Sequence, residues 1–289
     1  MTRHDLGIRA LSYATDIDVL PDDAIVHREG DVVIVRTPSA PTHYWGNFLL
    51  FDAPPQPGDR ERWEARFARA FDGQNRSRHR AFGWDVIDGE LGAAQQEFVA
   101  AGYQLETAVA LIATEQELRA HARASDEVTI VELDPADGAD ADLWHGVQEL
   151  QVETRDPGHT EEDHRRFVVE RMAGRRRRFQ AGDGAWFAAV TAEGEVAASC
   201  GIVVTDGRAR YQAVDTAERF RRRGIATRLV YDVGRAAFER MGAEHLVIVA
   251  EAGYHALPLY ESLGFVARER AVGVCWWPTA PNAHLHPTS

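Results

Sequence analysis

The chain changes its hydrophobic period repeatedly, and the switches mark out elements. In the second half, residues 127–133 read as a strand. A helix follows over 140–152, with Leu143, Val147 and Leu150 on one side. Thr160 and Asp163 resemble a capping box that opens a second helix through Phe167, Val168 and Met172. Residues 185–191 and 196–204 are strand-like runs joined at Glu193-Gly194. Asp206-Gly207 is a hairpin turn into a strand that ends near Thr216. Ile225, Leu229, Val233, Ala237 and Met241 then recur at steps of four, which predicts a helix. A strand at 246–249, a helix containing Tyr260 and a last strand at 270–277 complete the half. The order is β, two helices, three strands, α, β, α, β. It predicts an α/β domain (α+β, with a mixed sheet) over residues 127–277.

The first half reads less regularly but carries an echo. Residues 31–36 and 45–51 are strand-like. Residues 59–71 form a helical pattern with Trp63, Phe67 and Phe71 aligned, and 81–86 and 108–113 are further strands. Phe98-Val-Ala-Ala-Gly102-Tyr103 repeats the shape of Tyr260-Glu-Ser-Leu-Gly264-Phe265, and each leads into a strand. The pattern predicts an internal duplication; the alternative is an unrelated α+β domain with a chance Gly-Tyr match. The division expected is a first domain at 1–115, a linker at 116–126 within a polar stretch, the second domain at 127–277, and a disordered tail at 278–289, rich in Pro, His and Asn.

The chemistry gathers around Arg221-Arg222-Arg223-Gly224-Ile225-Ala226, between the apolar run 211–214 and the helix. A short turn from strand to helix leaves N–H groups unpaired at the helix start, where the helix dipole also attracts phosphate. Gly224 has no Cβ to hold a ligand off the backbone. The arginines add fixed charge and forked donors.

This order resembles the acetyl-CoA signature of the GNAT superfamily of N-acetyltransferases. The family pattern is Arg or Gln, two residues, Gly, one residue, then Gly or Ala, met here by Arg221, Gly224 and Ala226. The family then has a helix, a buried strand, a Leu-Tyr pair and Leu-Gly-Phe; after the helix, the strand here is residues 245–250, the pair is Leu259-Tyr260, and Leu263-Gly264-Phe265 follows. The resemblance implies a tandem fold with a catalytic C-terminal domain. Acetyl-CoA would be held at Arg221, Arg222, Arg223, Gly224, Ile225, Ala226 and Thr227. The backbone of Val214, Asp215 and Thr216 would pair with the pantetheine amides, and Tyr260 would act as general acid to the thiolate. An Asn of the family pattern is Gly253 here, which removes one polar contact.

The same resemblance implies that the first half binds no acetyl-CoA. Ala53-Pro54-Pro55-Gln56-Pro57-Gly58-Asp59 stands in the place of the phosphate turn. Its prolines remove N–H donors, Asp59 repels phosphate, and Phe98 replaces the tyrosine.

Composition narrows the partners. A net charge of −13 argues against nucleic acid or an anionic membrane surface, so the arginine cluster suits a small anion. Cys200 and Cys275 lie in apolar runs without ligand spacing, so neither a disulfide framework nor a metal is expected. No signal peptide or membrane segment is read, and a cytoplasmic monomer or homodimer is expected.

The base stays open among Asp215, which could also bind a cationic acceptor, Glu153 and Glu149 near the end of the first helix, and Glu251. His145 and His164 read as surface histidines, and residues 175–178, all arginine, as a solvated helix end. The expected function is acetyl transfer to a primary amine of a small molecule or peptide. A non-catalytic CoA-binding protein is the alternative, and a mycothiol-synthase-like enzyme a subsidiary one.

Overall fold

The computed structural model describes residues 6–72, 79–136, 138–155 and 160–277. In chain order the elements are α1 (Leu11–Asp18), β1 (Ile25–Glu29), β2 (Val32–Arg36), β3 (Phe48–Phe51), α2 (Asp59–Ala70), β4 (Arg80–Trp84), α3 (Gln95–Ala100), β5 (Gln104–Ala113), β6 (Val128–Glu132), α4 (Ala141–Glu153), α5 (Glu161–Gln180), β7 (Gly184–Thr191), β8 (Val196–Thr205), β9 (Arg208–Thr216), α6 (Ile225–Arg240), β10 (His245–Glu251), α7 (Leu257–Ser262) and β11 (Val266–Trp276). The expected tail at 278–289 lies outside the described residues. The chain forms two compact units, neither contiguous in sequence. One takes residues up to Ala110, Val249–Tyr254 and the stretch from Ala267; the other takes Leu111–Ile248 and His255–Val266.

In the first unit β1, β2 and β3 pair antiparallel in turn, β3 pairs parallel with β4, and β11 pairs antiparallel with β4 through Val272↔Trp84 to Trp276↔Arg80. Alternate residues of β2 feed two cores. Val32 and Ile34 join Phe51, Trp63, Phe82 and Phe98, while Val33 and Val35 join Tyr13, Phe48 and Leu50. Both faces are covered, which is why the run 32–35 is continuously apolar. Trp63 of α2 stacks on Phe51 at 3.8 Å. Trp45 packs against Tyr13, Tyr44 and Phe48, within one of these cores.

The sequence pattern did not predict α1 or β1. α1 has no capping side chain of its own. The carboxylate of Asp85 accepts the N–H groups of Arg9 and Ala10 at 2.8 Å, and Glu269 accepts that of Ser12 at 3.3 Å. A helix start supplied by such distant residues leaves no local signal.

In the second unit the sheet order is β10-β9-β8-β7-β6, with β10 parallel to β9 and the remaining pairs antiparallel. Asp206 (φ 48°) and Gly207 (φ 75°) are both left-handed, as a tight hairpin with the right strand twist requires. Thr160 caps α5 by accepting the Asp163 N–H at 3.2 Å. Residues 116–126 form no helix or strand.

The two units repeat a construction. β3–α2–β4 and β9–α6–β10 are each strand, helix, parallel strand, and α2 and α6 each start after a left-handed glycine, Gly58 (φ 87°) and Gly224 (φ 78°). α3 and α7 end alike. Tyr103 donates its N–H to the Phe98 carbonyl at 3.0 Å around Gly102 (φ 89°). Phe265 donates to that of Tyr260 at 3.2 Å around Gly264 (φ 100°).

Candidate active site

β9 carries the geometry of the site. Its ladder with β10 runs from Arg208↔His245 to Arg210↔Val247, although β9 itself continues to Thr216. On its other edge, against β8, the register shifts. Ser199 faces Asp215 and Gly201 faces Gln212, so two residues of β9 stand opposite Cys200 alone. Ala213, with φ 46°, absorbs this bulge. The end of β9 that holds Val214, Asp215 and Thr216 thus extends beyond its ladder with β10 and turns its backbone at the bulge.

The chain then enters a short 3-10 turn at Glu218–Phe220, passes Arg222 (φ 61°) and Gly224, and starts α6 at Ile225 without a capping side chain. Among the described residues, the N–H groups of Arg222, Arg223 and Gly224 have no acceptor. Those of Ile225, Ala226 and Thr227 open the helix, where intrahelical partners do not exist. The arginines divide. Arg219 pairs with Glu153 at 3.2 Å and with Glu195, Arg223 pairs with Glu127, and Arg221 donates to the Thr216 carbonyl at 3.2 Å. Among the described residues, Arg222 alone of Arg221, Arg222 and Arg223 has no side-chain bond, and it is exposed.

Gly224 has a structural duty that the sequence did not reveal. A Cβ there would lie 1.7 Å from the Arg123 carbonyl oxygen, so the residue is held against the segment before β6.

Tyr260 is buried on α7, its ring edge-on to Phe265 at 6.2 Å. Phe265 lies 6.0 Å from Tyr211, whose hydroxyl donates to the Val230 carbonyl of α6 at 2.7 Å. Burial pushes the Tyr211 phenol well above its ordinary pKa, so it stays protonated. Arg119 fastens α7 from behind, donating to the carbonyls of Leu263 at 2.9 Å and Ser262 at 3.3 Å.

The acidic candidates separate. Glu153 is tied to Arg219 and accepts the Glu218 N–H at 3.3 Å, which fixes it to the rim of the turn. The hydrogen bond from Arg165 holds Glu149 below the usual carboxylate range. Asp215 lies on the bulged strand and is half-buried. Glu251 is exposed at the end of β10. Of the arginines on α5, Arg175 donates to Gln212 at 2.8 Å, Arg176 lies 5.1 Å over Trp144, and Arg178 sits 3.6 Å from Asp183. Three of the four arginines at 175–178 therefore pack against structure rather than forming a purely solvated helix end. Among the described residues, no cluster of three or more His, Cys, Asp and Glu is arranged to hold a metal.

The corresponding place in the first unit is built differently. The ladder of β3 with β4 reaches Phe51↔Trp84, the last residue of each strand, and the Asp85 N–H adds a bond to Phe51 at 2.7 Å. Before α2, Asp59 accepts the Gln56 N–H at 2.9 Å and Glu97 that of Gly58 at 3.4 Å. The unit's own carboxylates occupy the helix start.

A model of the acetyltransferase (GNAT) family matches residues 144–265, which include the turn at 221–227 and Tyr260. No curated protein matches the chain. Among solved structures, a functionally unknown conserved protein from Staphylococcus epidermidis is 14% identical with a TM-score of 0.68, covering 89% of this chain and 95% of its own. A GCN5-related N-acetyltransferase from Kribbella flavida is 16% identical with a TM-score of 0.61, covering 90% and 92%. A tandem GNAT protein from the clavulanic acid biosynthesis pathway is 14% identical with a TM-score of 0.54, covering 96% and 91%. At such identities the likeness is one of fold. The chain therefore carries a GNAT-family acetyltransferase domain over residues 144–265, within a mixed α/β fold that it shares with a tandem GNAT protein.

Proposed function

We propose that the chain is an acetyl-CoA-dependent N-acetyltransferase that acts on a primary amine through its second unit. The observation that carries this reading is on β9: the strand outruns its ladder with β10 after Arg210↔Val247 and leads into a turn in which, among the described residues, the N–H groups of Arg222, Arg223 and Gly224 have no acceptor. An extended amide arm fits beside such a strand end, and phosphate fits the turn. Acetyl-CoA would supply the activated acetyl thioester. Val214, Asp215 and Thr216 would hold its arm by backbone bonds. Arg221 to Thr227 would hold its phosphates, with Arg222 as the available charge.

The roles of the side chains follow. Asp215 accepts a proton from the acceptor ammonium. The freed amine forms the C–N bond while the C–S bond breaks. Tyr260 gives its phenolic proton to the departing sulfur, and the second amine proton passes to solvent, which restores the tyrosine. Glu153, held by Arg219, shapes the rim. The first unit, with Asp59 and Glu97 across its helix start, has no part in binding acetyl-CoA.

The test is calorimetry with acetyl-CoA together with thiol release in the presence of amines. Binding with amine-dependent thiol release is expected. Binding without release under any amine would leave a CoA-binding protein, and absence of binding would end the reading.

A further inference from the structure

The bulge in β9 changes which side chains share a face. Residues three apart on a strand normally point to opposite sides. Here Gln212 and Asp215 face Gly201 and Ser199, which are two apart on β8, so the extra residue brings both to one side. That side meets α5, because Arg175 donates to Gln212 at 2.8 Å.

α5 turns an unusual stripe inward. Its buried residues Val168, Met172 and Phe179 share their face with Arg171 and Arg175. Arg178 reaches Thr205, which pairs with Arg208 at the start of β9, and Arg175 reaches Gln212, so Arg171, one turn earlier on α5, lies further along β9 toward Asp215. Its guanidinium donates to Gln151, which is 2% exposed, and lies 4.8 Å over the Phe167 ring. Burial lowers the Arg171 pKa, and the nearby Asp215 carboxylate opposes that shift. Beside Asp215, Ser199 is 0% exposed, and its Oγ has no hydrogen-bond partner among the described residues. A buried hydroxyl left so has lost its hydration without compensation, which a ligand group would supply.

We propose that the acceptor is a small amino acid-like zwitterion, with its ammonium at Asp215 and its carboxylate at Arg171. This rests on the acetyltransferase reading and names its substrate class. A carboxylate on β9 and a guanidinium on the helix face that meets this side of β9 match the two charges of such a molecule. A plain amine would bring Arg171 no anion beyond Asp215 and the neutral Gln151, and the forked guanidinium suits a carboxylate. Ser199 adds a hydroxyl between the strands that can bond either group.

The experiment compares free amino acids with the matched amines that lack the carboxylate, using acetyl-CoA and thiol release on the full chain. Amino acids should exceed their matched amines in kcat/KM by about ten- to a hundredfold, the size expected of a charged hydrogen bond. In Arg171→Gln that ratio should fall toward one, and Arg171→Lys should restore part of it. Circular dichroism and calorimetry with acetyl-CoA check that each variant is folded and loaded. Equal or better turnover of the amines, or an unchanged ratio in Arg171→Gln, would overturn the substrate class and leave the acetyltransferase standing. Turnover of neither class would overturn this proposal too, and acetyl-CoA binding in the same samples would then show whether the cofactor reading survives. Should Arg171→Gln fail to fold, the comparison of acids with amines in the parent decides alone.

Discussion

The Ser125 N–H donates to the Gly224 carbonyl at 3.2 Å, joining the segment before β6 to the turn that opens α6. Next to that bond the Arg123 carbonyl fills the space a side chain on Gly224 would need. The glycine serves the backbone of its own unit before it serves any ligand.

Gly224→Val should therefore be a stability variant. A non-glycine residue at φ 78° costs about 1–3 kcal/mol, and the collision with Arg123 adds to it. Urea unfolding should show a lowered midpoint in the absence of any ligand. A parental midpoint together with weakened acetyl-CoA binding would instead assign the glycine to the ligand.

Arg222→Ala should weaken acetyl-CoA binding by about three- to tenfold at low salt, and less at high salt, as expected for an exposed charge near phosphate. Arg223→Ala should do less, because Arg223 is already paired with Glu127. Titrations at two ionic strengths distinguish the two; equal effects would mean that the ion pair does not matter.

Tyr260→Phe should lower kcat by about a hundredfold while leaving acetyl-CoA affinity within a factor of about two, since it removes the proton and keeps the ring. Single-turnover kinetics ensure that chemistry is being read. An unchanged rate there would exclude the tyrosine as the acid.

Glu269→Gln should change how stability depends on pH. Burial, the leading cause, and then the nearby charge of Asp85 raise the Glu269 pKa in the folded chain, while the Ser12 and Leu11 N–H groups oppose them. A carboxyl with a raised folded pKa stabilises fully below its unfolded value and loses that contribution as pH rises through the folded one. Glu269→Gln should melt higher than the parent near pH 7, with the difference shrinking toward pH 4. A difference that is constant with pH would show that ionisation of Glu269 plays no part.

Much of the second unit was legible because its signals are local. Thr160 with Asp163, Asp206-Gly207 and the four-residue steps of α6 each act within a few residues. The turn at 221–227 and Tyr260 were legible as a spacing. What escaped depends on contacts far apart in sequence. α1 is capped by Asp85 and Glu269, Gly224 is pinned by Arg123, and Gln212 shares a face with Asp215 only because of a bulge that no pattern of apolar residues announces. Arg171 and Arg175 read as part of a polar helix until α5 is seen to face β9 with them.

The pairing of β11 with β4 also bears on how the protein is made. The ribosome delivers β11 only after β1 to β4 and the intervening stretch Leu111–Ile248 of the second unit. Until then β4 lacks this neighbour and presents an edge open to any other strand. The first unit thus begins to fold early but finishes late, during the interval in which chaperones matter most. Cutting the chain near residue 120 would not yield two free-standing halves. It would leave the front piece without β11 and the back piece carrying a strand with no sheet of its own to join.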